Sequence, residues 1–372
     1  MDKFPATLVI DLDRIKKNYH IFCDLAGDSC AVSGVVKADG YGLGAAPVAA
    51  VLNEEGCRDY FVATPEEGAE IREIVAADSR IYVLNGYYRG FEAEYAHYNL
   101  IPVLNSLEEI GRYKNGPCVL HFNTGMNRLG IGAAETKKIL DDKSVLKGKE
   151  VHCVMSHFAC ADEKDHPMNR TQFEKFSQIA KHFPGAKKSM ANSAGAFLSS
   201  DYHFDMIRPG AGIYGLNPQN DKENPVQGVV ELRAQILQTV PVAKGETVGY
   251  GASYKFEKDT VLATVSLGYA DGILRSSSDK GHLFWNGVAL PVRGRVSMDL
   301  LTVDLGGLPE QGRPRAGDEL EVIGPHQSAD KLAAAAGTIG YEILTSLGLR
   351  YERVYRYEAA VNMVASAGSI SA

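Results

Sequence analysis

The sequence predicts an α/β protein: a (β/α)8 TIM-like barrel followed by a mainly-β C-terminal domain. Three observations carry this. Between residue 31 and residue 207, eight short apolar runs alternate with amphipathic, helix-like stretches. No GxGxxG follows the first run, which argues against a dinucleotide-binding sheet. Beyond about Pro225 the texture changes to strand-like runs separated by Gly, Pro and charged turns. An open doubly wound sheet is the alternative, but eight regular strand–helix units favour a closed barrel.

The elements follow in order. Residues 7–11 are strand-like and precede a helical pattern over 12–25, leaving this first strand free to pair outside the barrel. Barrel strands are predicted at 32–36, 60–63, 81–84, 101–104, 118–122, 151–155, 187–190 and 205–207. A helix over 45–52 follows the first. Thr64-Pro65-Glu66-Glu67 is a helix start, with Thr64 as cap, proline at the first position and Glu67 completing a capping box. Asn105-Ser106-Leu107-Glu108-Glu109 opens a second helix in the same way. The later strands are predicted at 229–239, 260–267, 283–284, 289–292, 300–303 and 319–323, with short helices at 328–336 and 338–347. The domains implied are a barrel over 12–225 and a β domain over 226–372 that includes the N-terminal strand, 1–11.

A chain of 372 residues has room for two cores, and 45% apolar with 23% charged residues is ordinary for a globular protein. The formal charge of −7, with no basic run, argues against a nucleic-acid partner. No signal-type apolar segment opens the sequence and no long apolar run crosses it, so no membrane association and a cytoplasmic location are expected. Cysteines at 23, 30, 57, 118, 153 and 160 form no CxxC pair, which predicts reduced, mostly buried thiols and no metal site.

In a (β/α)8 barrel, reactive groups gather where strands end. The first strand is followed by Lys37 and Tyr41, in Val35-Val36-Lys37-Ala38-Asp39-Gly40-Tyr41-Gly42-Leu43-Gly44. A lysine at the exit of a buried strand is desolvated, which lowers its pKa and frees an amine for Schiff-base chemistry. A surface lysine that happens to follow a strand is the plainer reading. Asn123-Thr124-Gly125-Met126-Asn127-Arg128 follows the fifth strand, Ser156-His157 the sixth and Asn192-Ser193 the seventh. Arg208-Pro209-Gly210-Ala211-Gly212 follows the eighth. The last two segments can offer backbone N–H groups and a hydroxyl to a phosphate. Taken singly, His157 reads as a core histidine and the Gly/Pro segment as a turn. Together, a lysine, phosphate-cradling turns and arginines on one rim suggest pyridoxal phosphate.

These motifs, with GYGASY around Tyr250, GYADG around Tyr269 and Ser297-Met298-Asp299, make the chain resemble the alanine racemase family over essentially its whole length. The resemblance implies a pyridoxal-phosphate enzyme that interconverts L- and D-alanine, supplying D-alanine for peptidoglycan. Lys37 would carry the cofactor and act as one acid–base group, with Tyr250 as the other on the opposite face. Tyr41, Asn192, Ser193, Gly210, Ala211 and Tyr341 would hold the phosphate. Arg208 would face the pyridine nitrogen, supported by His157. Arg128 would contact cofactor and substrate carboxylate, with the Met298 N–H as second carboxylate donor. Tyr269 would line the substrate entry and Asp299 would brace the Met298 segment. The family's shared active site implies a homodimer.

The sequence departs from the family pattern at four places. His121 stands where many members carry a carbamylated lysine that orients the arginine corresponding to Arg128, and Asn123 replaces an acidic residue. A direct His121 hydrogen bond or a bound anion such as chloride are the substitutes it suggests. Leu43 replaces a histidine and Ser297 a cysteine. Three other readings compete: a broad-specificity amino acid racemase, a pyridoxal-phosphate-dependent decarboxylase, and a non-enzymatic cofactor-binding barrel. The decarboxylases bring a C-terminal cysteine, and none occurs after Cys160. The β domain speaks against a barrel acting alone. A catabolic role stands beside the biosynthetic one.

Overall fold

The computed structural model describes residues 4–219, 222–358 and 360–364. The chain divides into two compact units, Ile15–Gln227 on one side and Met1–Arg14 with Gly228–Ala372 on the other.

The first unit is a parallel barrel. Its opening strand comes in two pieces, Ala31–Val32 and Gly34–Val35. Gly34–Val35 starts a run of parallel neighbours: Asp59–Val62, Arg80–Val83, Leu100–Leu104, Gly116–His121, Lys149–Met155 and Lys187–Ser189. Ala31–Val32 pairs in parallel with Met206–Ile207. The ring then closes through short contacts: Asp205 N–H donates to the Lys188 carbonyl and Arg208 N–H to the Ala191 carbonyl, at 3.0 and 2.9 Å. The break at Ser33 marks the change of neighbour. Its N–H and its hydroxyl both donate to the Ile207 carbonyl, each at 3.1 Å.

Asp59–Val62 and Leu100–Leu104 are buried at every position, because a barrel strand faces packed side chains within and helices without. That is why Leu100–Leu104 reads as an unbroken apolar run, and Asp59–Val62 as one after its first residue. Phe122, Phe158 and Phe176 fill the space between the later strands and their helices. Cys30, Cys57, Cys118 and Cys153 are buried and all six cysteines are free thiols.

Thr64 and Ser106 cap the helices Pro65–Arg72 and Leu107–Arg112 by accepting from the Glu67 and Glu109 N–H groups. The reciprocal half of the predicted capping box differs. Neither carboxylate turns back to its cap residue. Glu67 accepts from the Ala63 N–H at 2.6 Å and Glu109 from the Asn105 N–H at 2.8 Å, one residue earlier than the box requires.

The second unit is built on a nine-stranded sheet. Ala6–Asp11 lies between Val230–Val242, antiparallel to it, and Glu352–Tyr357, parallel to it. Val230–Val242 is long enough to pair with Glu319–Ile323 at one end and Thr260–Val265 at the other, with a register shift in each pairing. His282–Trp285, Val288–Pro291 and Leu301–Asp304 extend the sheet. The helices Ala329–Ala336 and Gly340–Ser346 follow. Two hairpins escape the sequence pattern: Glu352–Tyr357 with Ala360–Val364, and Thr247–Val248 with Tyr254–Lys255, which frames Tyr250. In the second of these, strands of two residues are too short to show a period.

Candidate active site

At the barrel's C-terminal rim, the half-buried Lys37 leaves the first strand. Its amine makes no hydrogen bond among the described residues. Burial, reinforced by Arg128, lowers its pKa, with Glu67 opposing. The chain then turns in a way local preference disfavours. Ala38, Asp39, Gly40 and Tyr41 all lie in the left-handed helical region, at φ 53, 51, 58 and 58°. Each non-glycine residue there costs roughly 1–2 kcal/mol. The predicted Asp-Gly turn is thus a full left-handed turn.

Local and long-range contacts together hold it. The Ala38 N–H donates to Glu67 Oε1 at 2.8 Å and the Ala45 N–H to Asp39 Oδ1 at 2.8 Å. The Tyr41 ring stacks on Tyr214 at 4.5 Å, and the Tyr214 hydroxyl donates to the Val35 carbonyl at 3.0 Å. A Cβ at Gly210 would collide with the Tyr41 hydroxyl, so glycine is what lets the eighth-strand turn approach the first.

Arg208 is buried at the foot of this rim. One guanidinium nitrogen donates to Ser189 Oγ, and Nη2 donates to the Ser156 carbonyl at 2.6 Å. The predicted His157 contact is present but longer, with Nδ1 3.4 Å from Nη2. Loss of hydration brings the Arg208 pKa down to about 10, with Cys153 opposing. Desolvation and then Arg208 hold His157 well below the usual imidazole range. It is therefore a neutral acceptor toward the guanidinium.

Ser193 Oγ accepts from the Gly210 and Gly212 N–H groups at 2.9 and 3.1 Å, which joins the seventh- and eighth-strand turns and places Ala211 between them. The Asn192 side chain caps the turn Ser193–Ala196 by accepting from the Gly195 N–H at 2.8 Å.

Arg128 is exposed, on the loop after the fifth strand. Asn123 folds that loop: its Oδ1 accepts from the Gly125 and Asn127 N–H groups at 3.0 and 3.1 Å. His121 pairs with Asn105, Nδ1 to Oδ1 at 2.8 Å. Burial, with Arg208 and Arg128, pushes its pKa down to about 3. Asn105, Ser189 and Tyr214 are site-building residues that the sequence did not single out as such. Their only signal was position, at or near a strand end.

The β unit carries the other predicted residues. Tyr250 stands in a turn between Gly249 and Gly251, both at positive φ, and is 72% exposed. The Gly268-Tyr269-Ala270 segment docks on Ser297-Met298: the Tyr269 and Ala270 N–H groups donate to their carbonyls at 3.0 and 2.9 Å. Arg350 bridges Asp271 and Asp299, at 2.7 Å to each. The Met298 N–H has no partner among the described residues, and Met298 is 54% exposed. Tyr341 sits in the first turn of Gly340–Ser346 and is exposed.

The profile of "Alanine racemase, N-terminal domain" matches residues 10–218, and that of "Alanine racemase, C-terminal domain" matches 229–355. The chain belongs to the alanine racemase family. An alanine racemase of Rickettsia canadensis is 45% identical over 358 residues, covering 94% of this chain and 99% of that one. A catabolic alanine racemase of Mesorhizobium japonicum is 45% identical over 359 residues, covering 94% and 93%. Among solved structures, the Bartonella henselae alanine racemase with covalently bound pyridoxal phosphate superposes with a TM-score of 0.91 at 37% identity, covering 95% of this chain and 99% of that one. The biosynthetic alanine racemase of Pseudomonas aeruginosa gives 0.89 at 34% identity, covering 95% and 100%. This alanine racemase family architecture, barrel and β domain together, is the one the sequence predicted.

Proposed function

We propose that this chain interconverts L- and D-alanine with pyridoxal phosphate held on Lys37, using Lys37 and Tyr250 as its two acid–base groups. The observation that carries the reading is the Lys37 amine: half-buried, without a hydrogen-bond partner among the described residues, and lowered in pKa. A buried, unpaired amine loses its proton readily and can attack an aldehyde carbon.

The rim fits the cofactor. Gly210 admits the Tyr41 hydroxyl where a Cβ would collide, and Ser193 Oγ, accepting from the Gly210 and Gly212 N–H groups, keeps its own O–H to donate to a phosphate. Asn192, Ala211 and Tyr341 are assigned to the same phosphate. Bound pyridoxal phosphate supplies the electron sink that makes the substrate Cα–H acidic.

The protein's part is to place protons and charges. Racemisation requires a proton to leave one face of Cα and return on the other, so two groups are needed. Lys37 is assigned the proton of D-alanine and Tyr250 that of L-alanine. Arg208 stays protonated at neutral pH and keeps its donors on Ser156 and Ser189, so it gives the pyridine nitrogen no ready proton. That weaker sink favours return of the proton to Cα over side reactions. Arg128 and the unpaired Met298 N–H are suited to the substrate carboxylate, with Asp299 held by Arg350 as a brace and Tyr269 at the entry.

The high exposure of Tyr250 and Met298 supports a head-to-tail homodimer in which each chain lends these groups to its partner's barrel. We place the reaction in the cytoplasm, in the supply of D-alanine for peptidoglycan. Loss of the gene then creates a D-alanine requirement for growth, and growth without the supplement assigns the enzyme to catabolism.

The deciding experiment is incubation with pyridoxal phosphate and L-alanine in D2O, following Cα–H loss by NMR and D-alanine by chiral analysis. Cα-deuterated D-alanine, abolished by Lys37→Ala, supports the two-sided reaction. Exchange without inversion removes Tyr250 from its role. Silence with alanine but turnover of lysine, ornithine or serine moves the chain to a broad-specificity racemase or a decarboxylase.

A further inference from the structure

Glu67 occupies the third position of the helix Pro65–Arg72, where sequence logic gives it the Thr64 N–H. Its carboxylate instead spans two other backbone donors, Ala63 N–H at 2.6 Å and Ala38 N–H at 2.8 Å. Ala63 directly follows the second barrel strand. Ala38 directly follows Lys37, 29 residues away from Glu67. One carboxylate thus ties together the first two loops of the rim.

The Ala38 N–H shares its peptide plane with the Lys37 carbonyl. Anchoring that N–H fixes the ψ torsion of Lys37, and so the direction in which the chain enters the left-handed turn. Ala38, Asp39 and Tyr41 carry a steric cost at φ values above 50°, so the bonds within the segment, Gly40 N–H to the Val36 carbonyl and Ala45 N–H to Asp39 Oδ1, are supplemented by contacts from outside the turn.

Half of the device recurs in the next unit but one. Glu109, third in the helix Leu107–Arg112, accepts from the Asn105 N–H at 2.8 Å, as Glu67 does from the Ala63 N–H. Glu67 also reaches the residue next to Lys37.

We propose that Glu67 is a positioning residue for Lys37, its carboxylate stapling the exit of the first barrel strand in the geometry that presents the amine. This rests on Lys37 being the cofactor lysine. In E67Q, the amide nitrogen that replaces one oxygen faces a backbone N–H and cannot accept from it. T64A is the matched control: it uncaps the same helix and leaves both Glu67 bonds intact.

The test strips cofactor from the holoenzyme of wild type, E67Q and T64A and follows its return by visible absorbance. Borohydride reduction and peptide mass then locate the link, and a melting curve is taken for each variant. E67Q is expected to re-form the Lys37 link about tenfold more slowly than wild type, while melting no lower than T64A, which stays within about twofold of wild type. If E67Q folds poorly, E67D, too short by one methylene to span both amides, is expected to show the same slowing. Wild-type rates in E67Q, or equal slowing in T64A, overturn the inference alone. A wild-type link on another lysine overturns the functional reading and this inference with it.

Discussion

His121 Nδ1 lies 2.8 Å from Asn105 Oδ1, and the Asn105 amide spends its two hydrogens elsewhere, on the carbonyls of Leu84 and Val103 at 3.2 and 2.8 Å. Asn105 therefore offers His121 only an acceptor, and the imidazole proton must sit on Nδ1. Nε2 is left with a lone pair, in the field of Arg208 and Arg128. A neutral imidazole with a bare nitrogen is an acceptor suited to a guanidinium.

The same geometry makes a pH prediction. Folding lowers the His121 pKa to about 3, while an unfolded histidine titrates near ~6.5. Between those values the unfolded chain binds the extra proton, so stability falls as pH is lowered through this window, by up to about 1.4 kcal/mol per pH unit. His121→Gln should flatten the acid limb of a denaturation-versus-pH series. The wild-type imidazole should show the Nδ1–H tautomer by 15N NMR and no titration down to about pH 5. Protonation of His121 near pH 6 would remove this account.

Ser189→Ala deletes the hydroxyl that accepts from the buried Arg208. A donor left without a partner in the barrel costs about 1–3 kcal/mol, seen as a lower urea midpoint at unchanged m-value. Ser189→Thr, which keeps the hydroxyl, should restore most of it. Equal midpoints for the alanine variant and wild type would show that the guanidinium finds another acceptor.

Asp59 marks the opposite, N-terminal end of the barrel. Its carboxylate takes a two-pronged contact from Arg80 at 2.6 and 2.8 Å and the Tyr82 hydroxyl at 2.9 Å. Burial raises its pKa, but Arg80, Lys187 and Tyr82 together outweigh that and hold it below the ordinary carboxylate value. Its contribution to stability is present above pH ~4 and is lost as pH falls through the folded pKa. Asp59→Asn should cost roughly 3 kcal/mol in chemical denaturation at neutral pH. Racemase kcat should stay within about twofold, since this rim carries stability and the other carries chemistry. A large fall in kcat with little loss of stability would contradict that division.

Lys37→Ala and Tyr250→Phe should each abolish two-sided exchange. Refolded together as a mixture, they should recover about a quarter of wild-type activity. In the proposed head-to-tail dimer, half of the dimers would then be mixed, and each mixed dimer would hold one site with both groups intact. No recovery, with mixed dimers confirmed by native mass spectrometry, would place both groups of a site on a single chain.

Much of this protein was legible in its sequence, and the reason differs by feature. Barrel strands such as Leu100–Leu104 are buried on both faces, so each writes its own apolar run. Thr64 and Ser106 cap helices through contacts three residues away, within the range that local patterning covers. Lys37 and Arg208 were visible because a strand's end is a fixed place in a barrel.

The tertiary structure alone decided where the polar groups at those ends are spent. Glu67 bonds Ala38 across 29 residues, His121 meets Asn105 across 16 and Arg208 reaches the Ser156 carbonyl across 52. None of these pairings has a local signature, because a hydrogen bond between strand ends depends on which strands are neighbours. The left-handed turn over 38–41 goes further. Local sterics argue against it at three of its four residues, and the assembled rim supplies Glu67 and Tyr214 to help hold it.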